Sequence, residues 1–149
     1  MHTHSAIRSS LSFSSSTKSE ITAEVSHADI LKFCIDACNR CVEACDVCAA
    51  TCFGDEDADD FRHCIGLSVD CAALCRLTTS MLERHSELLT EICRACAQVC
   101  DACGDECARH ESVACQACAE ACYRCAARCR RLANSYRFTP ATREAAFAS

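Results

Sequence analysis

Apolar positions recur along the chain at alternating steps of three and four residues, and in four stretches cysteine occupies them. The first stretch holds Cys34, Cys38, Cys41, Cys45, Cys48 and Cys52, at steps of 4, 3, 4, 3 and 4. The second holds Cys64, Cys71 and Cys75, at steps of 7 and 4. The third (Cys93, Cys96, Cys100, Cys103, Cys107) and the fourth (Cys115, Cys118, Cys122, Cys125, Cys129) both step 3, 4, 3, 4. This alternation is the heptad seam of helices packed in a bundle. It stacks each set along one helix face. A strand would need a period of two. The residues between the cysteines are largely Ala, Asp, Glu, Arg and Gln, which suit outer faces.

Boundaries follow from local signals. Ser26 with Asp29 reads as a capping box, so the first helix is expected to start there and to end near Gly54. The run Asp55-Glu56-Asp57-Ala58-Asp59-Asp60 is expected to turn and then open the second helix, since negative charge favours a helix N-terminus. That helix should reach Arg84 or His85. Ser86 is the expected N-cap of a third helix running to about His110, and a fourth should end near Ser135 or Tyr136. Connections this short make successive helices antiparallel. The predicted fold is all-α: an up-down-up-down antiparallel four-helix bundle with a Cys-lined core over residues 26–136. A disordered Ser-rich tail (residues 1–25) and a C-terminal tail (residues 137–149) flank it.

Extending the heptads predicts the core layers. Cys52, Cys64, Cys107 and Cys115 share one end, followed by Cys48, Ser68, Cys103 and Cys118. Then come Cys45, Cys71, Cys100 and Cys122, and after them Cys41, Cys75, Cys96 and Cys125. Cys38, Thr78, Cys93 and Cys129 precede a layer of Cys34, Leu82, Leu89 and Leu132. Leu31, His85 and Tyr136 are expected to close the far end.

Composition sharpens this picture. The 149 residues suit one domain; with no Trp, one Pro and three Gly they contain few helix breakers. Nineteen cysteines in a short secreted chain would signal a disulfide scaffold, but such scaffolds are rich in loops and turns. The odd count also leaves a thiol unpaired. A formal charge of −6 argues against nucleic acid as a partner. No apolar run is expected to reach the ~18–20 residues that span a bilayer, and Met1 to Val25 shows neither a secretory h-region nor a twin-Arg pair. The chain is therefore placed in a reducing cytoplasm.

Cysteine as mere packing is a poor account of five or six consecutive seam positions, because Leu, Ile, Val and Phe bury more apolar area. Metal binding is the better account. Thiolates are soft ligands for Cu(I), Zn and iron–sulfur clusters. Zinc takes four ligands in a closed tetrahedral site, and iron–sulfur clusters take short loop-borne runs of cysteine. A continuous ladder resembles neither. A zinc or mixed-metal thiolate buffer and an iron–sulfur or redox protein remain the alternatives. Cu(I) accepts two sulfurs in near-linear geometry, roughly 4.5 Å apart for bonds of roughly 2.3 Å. Cys-x-x-x-Cys pairs, with Cβ atoms ~5–6 Å apart, can clamp such an ion. Those pairs are Cys34/Cys38, Cys41/Cys45, Cys48/Cys52, Cys71/Cys75, Cys96/Cys100, Cys103/Cys107, Cys118/Cys122 and Cys125/Cys129. A monovalent ion per thiolate also neutralises buried charge, giving about one copper per Cys.

The repeated Cys-x-x-x-Cys and Cys-x-x-Cys motifs on four helices, over roughly Ser26 to Tyr136, resemble the bacterial copper storage proteins. Lack of a twin-Arg signal matches the cytosolic branch of that family. The resemblance implies Cu(I) storage without enzymatic turnover, in a tetramer of four-helix bundles. It implies neither nucleic acid nor membrane as a partner, and names no chaperone or client.

His110, three residues after Cys107 on the same seam, is the expected supplementary ligand where copper enters, and His63 beside Cys64 is a second candidate there. His27 and His85 fall near the Leu end as capping or surface residues, and His2 and His4 in the tail carry no assigned role. Asp36, Glu43, Asp46, Asp101, Asp105, Glu106 and Glu120 are expected on the solvated face. No nucleophile–base pair, phosphate loop or paired-carboxylate site is evident, so no enzyme activity is predicted. Good helix propensity and the Leu-rich end predict a bundle that folds without metal.

Overall fold

Ser26 caps the first helix as its spacing to Asp29 requires. Its hydroxyl accepts a hydrogen bond from the Asp29 N–H at 3.1 Å, and the Asp29 carboxylate accepts from the Ser26 N–H at 3.3 Å. The computed structural model describes residues 24–136, so both predicted tails lie outside the described residues, apart from Glu24 and Val25. Four helices follow: α1 (His27–Phe53), α2 (Arg62–Glu83), α3 (Leu89–Cys107) and α4 (Val113–Ser135). Each backbone packs on two neighbours, in the cycle α1, α2, α3, α4, and the diagonal pairs meet through their core sulfurs, as Cys48 with Cys107 and Cys64 with Cys115. Cys48 meets Cys64 and Cys41 meets Cys71, so α1 and α2 run antiparallel. Cys52–Cys115 and Cys34–Cys129 show the same for α1 and α4.

The acidic run does not open α2. It forms successive tight turns, with bonds from Ala58 N to Asp55 O, Asp60 N to Asp57 O and Phe61 N to Ala58 O, and α2 starts at Arg62. Asp55 drives this locally: its side chain accepts from the Asp57 N–H at 2.9 Å, diverting backbone donors from the helix.

Ser86 likewise does not cap α3. His85 adopts a left-handed conformation (φ 53°). The Ser86 N–H bonds Met81 O at 2.9 Å and the His85 N–H bonds Leu82 O at 3.1 Å. This is a Schellman closure of α2, with His85 in the position usually held by glycine. The Ser86 hydroxyl then accepts from the Leu88 N–H at 3.3 Å, and α3 begins at Leu89. At the other end α3 stops at Cys107, short of the expected His110. The Gln116 side-chain amide donates to His110 O at 2.6 Å, satisfying a carbonyl that a longer helix would have used.

The core is unusual in its contents. Cysteines line it from end to end, flanked by buried small residues such as Ala72, Ala97 and Ala126, which let the helices approach closely. Leu82, Leu89 and Leu132 are the large apolar residues of its far end. On the outside, Arg76 pairs with Asp46 and Arg130 with Asp101, tying α2 to α1 and α4 to α3. Pairs this exposed contribute roughly 0–1 kcal/mol each.

α2 is long and apolar enough to cross a membrane by length and composition, with mean hydropathy 1.3 over an 18-residue window. Its apolar score counts the seam residues Cys64, Cys71 and Cys75 with Ala72 and Leu82, all buried inside the bundle.

Candidate metal centre

All nineteen cysteines are free thiols. Every one is fully buried except Cys52, which is 2% exposed. The seam spacing therefore delivers what it predicted: each cysteine points inward, and sulfurs from different helices meet.

At one end Cys52 and Cys115 lie 3.5 Å apart, Cys64 and Cys107 3.5 Å, and Cys48 and Cys115 3.7 Å. In the middle, Cys41 reaches Cys71 and Cys122 at 3.7 Å each, and Cys71 reaches Cys100 at 3.6 Å. Farther in, Cys75–Cys96, Cys38–Cys125 and Cys34–Cys129 are each 3.6 Å. Of the pairs expected to clamp an ion within one helix, Cys41/Cys45, Cys96/Cys100, Cys103/Cys107 and Cys118/Cys122 come within 4.0 Å. The shorter contacts run between helices, because the heptad face presents each thiol to its neighbours more squarely than to the next turn.

The predicted register holds for α2, α3 and α4 but not for α1. Cys41 lies between the layer of Cys71, Cys100 and Cys122 and its expected layer with Cys125, while Cys38 touches both Cys125 and Cys129. α1 is thus staggered by about half a layer, since knobs pack into holes rather than into flat rings.

Sets of four sulfurs lie mutually within 4.8 Å, for example Cys48, Cys52, Cys64 and Cys115, or Cys38, Cys96, Cys125 and Cys129. Others share members: Cys41 and Cys71 each belong both to a set with Cys45 and Cys122 and to one with Cys75 and Cys100. Shared sulfurs suit bridging thiolates in a multinuclear soft-metal array better than isolated closed tetrahedra.

Protons are unevenly shared across the array. Neighbouring thiols, first Cys100, hold Cys41, Cys71 and Cys96 well below the usual thiol range. Cys107 does the same for Cys103, and is itself pushed up, first by Cys103. At the end of the array, burial and then the Cys115 thiol push Cys52 from 9.0 up to about 12. Some sulfurs are thus ready ligands, while others must release a proton as a cation binds.

Two seam positions on α2 carry hydroxyls where the neighbouring layers carry thiols. The fully buried Ser68 Oγ lies 3.8 Å from Cys103 Sγ and 3.9 Å from Cys107 Sγ. The Thr78 hydroxyl donates to Leu74 O at 2.8 Å and is satisfied within its own helix.

His110 is at the Cys52/Cys115 end, as expected, but in company the sequence did not reveal. Its Nε2 lies 3.0 Å from Glu106 Oε1, and its ring centroid is 4.8 Å from that of Phe61. Glu106 was expected on the solvated face, yet its side chain is only 11% exposed, because His110 folds back over it. His63 is exposed and borders a surface groove with Asp59, Asp60 and Asp70. At the far end Leu82, Leu89 and Leu132 close the core. Tyr136 meets His27 edge to face, ring centroids 4.2 Å apart. His85 does not close this end; it is exposed in the α2–α3 turn, in keeping with its expected capping or surface role.

A further feature escaped the sequence reading. Gly104 lies under the Tyr123 ring, where an added Cβ would sit 2.9 Å from Cε1, and the Tyr123 hydroxyl donates to Asp105 at 2.7 Å. A small residue one place after the seam residue Cys103 was the available signal.

Comparison with known proteins agrees with this geometry. The sequence profile of a family described as copper storage protein matches residues 27–134. An uncharacterised cysteine-rich protein of Bacillus subtilis (strain 168), YhjQ, is 41% identical over 78 residues, covering 52% of this chain and 72% of that protein. The Cu(I)-bound copper storage protein BsCsp3, from Bacillus subtilis, superposes with a TM-score of 0.68 at 39% identity, over 70% of this chain and 98% of its own. Ccsp of Streptomyces lividans, loaded with 10 copper equivalents, superposes with a TM-score of 0.71 at 38% identity, over 75% of this chain and 89% of its own.

Proposed function

The chain belongs to the copper storage protein family and stores Cu(I); we propose that its nineteen core cysteines are the storage sites, filled to about one copper per thiolate. The observation that carries this reading is the succession of close contacts among free, buried thiols from Cys52 and Cys115 to Cys34 and Cys129. Thiolates packed this closely repel one another unless cations neutralise them, and a soft monovalent ion does so without overcharging the core.

Copper enters at the end where Cys52, Cys64, Cys107 and Cys115 meet, with His110 as a supplementary ligand and His63 as an outer contact. Supporting this, that end offers thiols and imidazole, whereas the opposite end is closed by leucine. Glu106 takes His110 Nε2, which leaves Nδ1 to face an incoming ion. Nothing in this scheme calls for catalytic turnover. The folding unit is the bundle of residues 26–136.

The protein works in the reducing cytoplasm as a homo-oligomer, a tetramer by family resemblance. The exposed Val47, Val69 and Leu77 on the outer faces of α1 and α2 support association. Cytosolic Ccsp from Streptomyces lividans is the relative that supports the location.

X-ray absorption of the loaded protein tests the ligand assignment. Ligation dominated by sulfur near the ~2.3 Å typical of thiolate bonds is expected, with nitrogen from His110 as a minor contribution. Mixed nitrogen and oxygen ligation in most sites, or preferential loading with zinc or iron, would overturn it.

A further inference from the structure

The sulfur array is not uniform along its length. Cys48, Cys52, Cys64, Cys107 and Cys115 form a close group at the mouth: Cys48 reaches Cys64 at 3.8 Å, Cys107 at 3.9 Å and Cys115 at 3.7 Å. At the next level Cys118 turns inward instead, touching Cys45 at 3.6 Å and Cys122 at 3.9 Å. Cys107 reaches this level through Cys103, at 4.0 Å, and Cys118 also interacts with the mouth residues Cys48 and Cys107. Cys103 in turn lies within 4.8 Å of Cys45, Cys118 and Cys122. The corner that α2 would fill with a fourth thiol holds Ser68.

We propose that Ser68 and Cys103 form a neck dividing the store into a quickly exchanging mouth pool and a deeper reservoir, with Cys103 as the relay between them. This rests on the storage reading. A neutral hydroxyl is a hard oxygen donor and a poor ligand for Cu(I), so an ion cannot step inward along α2. It steps through Cys103. The step is a ligand exchange at Cu(I) with no change of oxidation state. A Cu–S bond to the Cys103 thiolate forms as one to a mouth thiolate breaks, and the sulfur released remains a thiolate open to the next ion. Thr78, the other hydroxyl on the α2 seam, sits deeper and turns its hydroxyl to Leu74 O, so it forms no comparable constriction at the mouth.

The test is stopped-flow transfer of Cu(I) from a coloured chelator complex to the reduced, metal-free full chain. Uptake should show a fast phase of about five coppers, one per mouth thiolate, and a slower phase for the remainder. Ser68→Cys should speed the slow phase about tenfold, equivalent to about 1.4 kcal/mol of barrier. Ser68→Ala should leave it unchanged, and Cys103→Ser should slow it about tenfold while lowering capacity by about one copper. Full uptake in a single phase, or a slow phase indifferent to residues 68 and 103, overturns the neck alone. Uptake that ends after a few coppers overturns the storage reading, and the neck with it.

Discussion

The two ends of the bundle share one helical seam and differ in what occupies it. At the mouth the seam residues are Cys52, Cys64, Cys107 and Cys115, all buried and within reach of one another's sulfur. At the other end they are Leu82, Leu89 and Leu132, also buried, with Tyr136 packed edge to face on His27 beyond them. Helical periodicity fixes the position of both sets equally. Side-chain chemistry then divides the labour. Leucine removes more apolar surface from water and holds the helices together without metal. Cysteine gives up part of that stabilisation and leaves a polarisable, ionisable lining that a soft cation completes.

The contrast can be broken most sharply from the Leu end. Leu132→Ala should destabilise the metal-free protein by about 2–5 kcal/mol, whereas Cys64→Ala should cost about 1 kcal/mol and remove copper capacity. Denaturant unfolding of the reduced proteins, paired with copper loading, checks both halves. Equal stability losses would mean the thiol end anchors the apo fold as much as the Leu end does.

A smaller effect separates the ends by pH. Cys52 has its thiol raised to about 12 against an ordinary 9.0, so the bundle resists its ionisation more than the unfolded chain does. A raised folded value contributes stability that is fully present below pH 9.0 and is lost as pH climbs toward about 12. The melting temperature of the reduced apo protein should therefore fall across that window. The decline should be shallower in Cys52→Ala.

The smallest expected effect lies in the α2–α3 turn near the Leu end. His85→Gly should stabilise the protein by up to about 1 kcal/mol, because glycine adopts the left-handed C′ conformation without Cβ strain. Copper capacity should not change. A loss of capacity would give His85 a role in binding that its exposed position does not suggest.

What could be read from the sequence divides along similar lines. The Ser26 cap and the inward face of every cysteine were legible, because capping and heptad periodicity are short-range and cooperative. The acidic run and Ser86 were misplaced, because Asp and Ser side chains can serve a helix terminus or a turn, and here the turns won. The half-layer stagger of α1 depends on how knobs settle into holes between helices, which no single helix encodes. The packing of Phe61 on His110 was also hidden, since it joins the α1–α2 connection to the end of α3. The contact that buries Glu106 depends on how the chain turns after Cys107.

The central claim is that the buried thiols are the store. An anaerobic Cu(I) titration of the reduced protein against a chromophoric Cu(I) chelator tests it most directly. Uptake of about one copper per cysteine before the chelator colours is the predicted result. Colour after only a few equivalents, with zinc or iron taken up in preference, would contradict it.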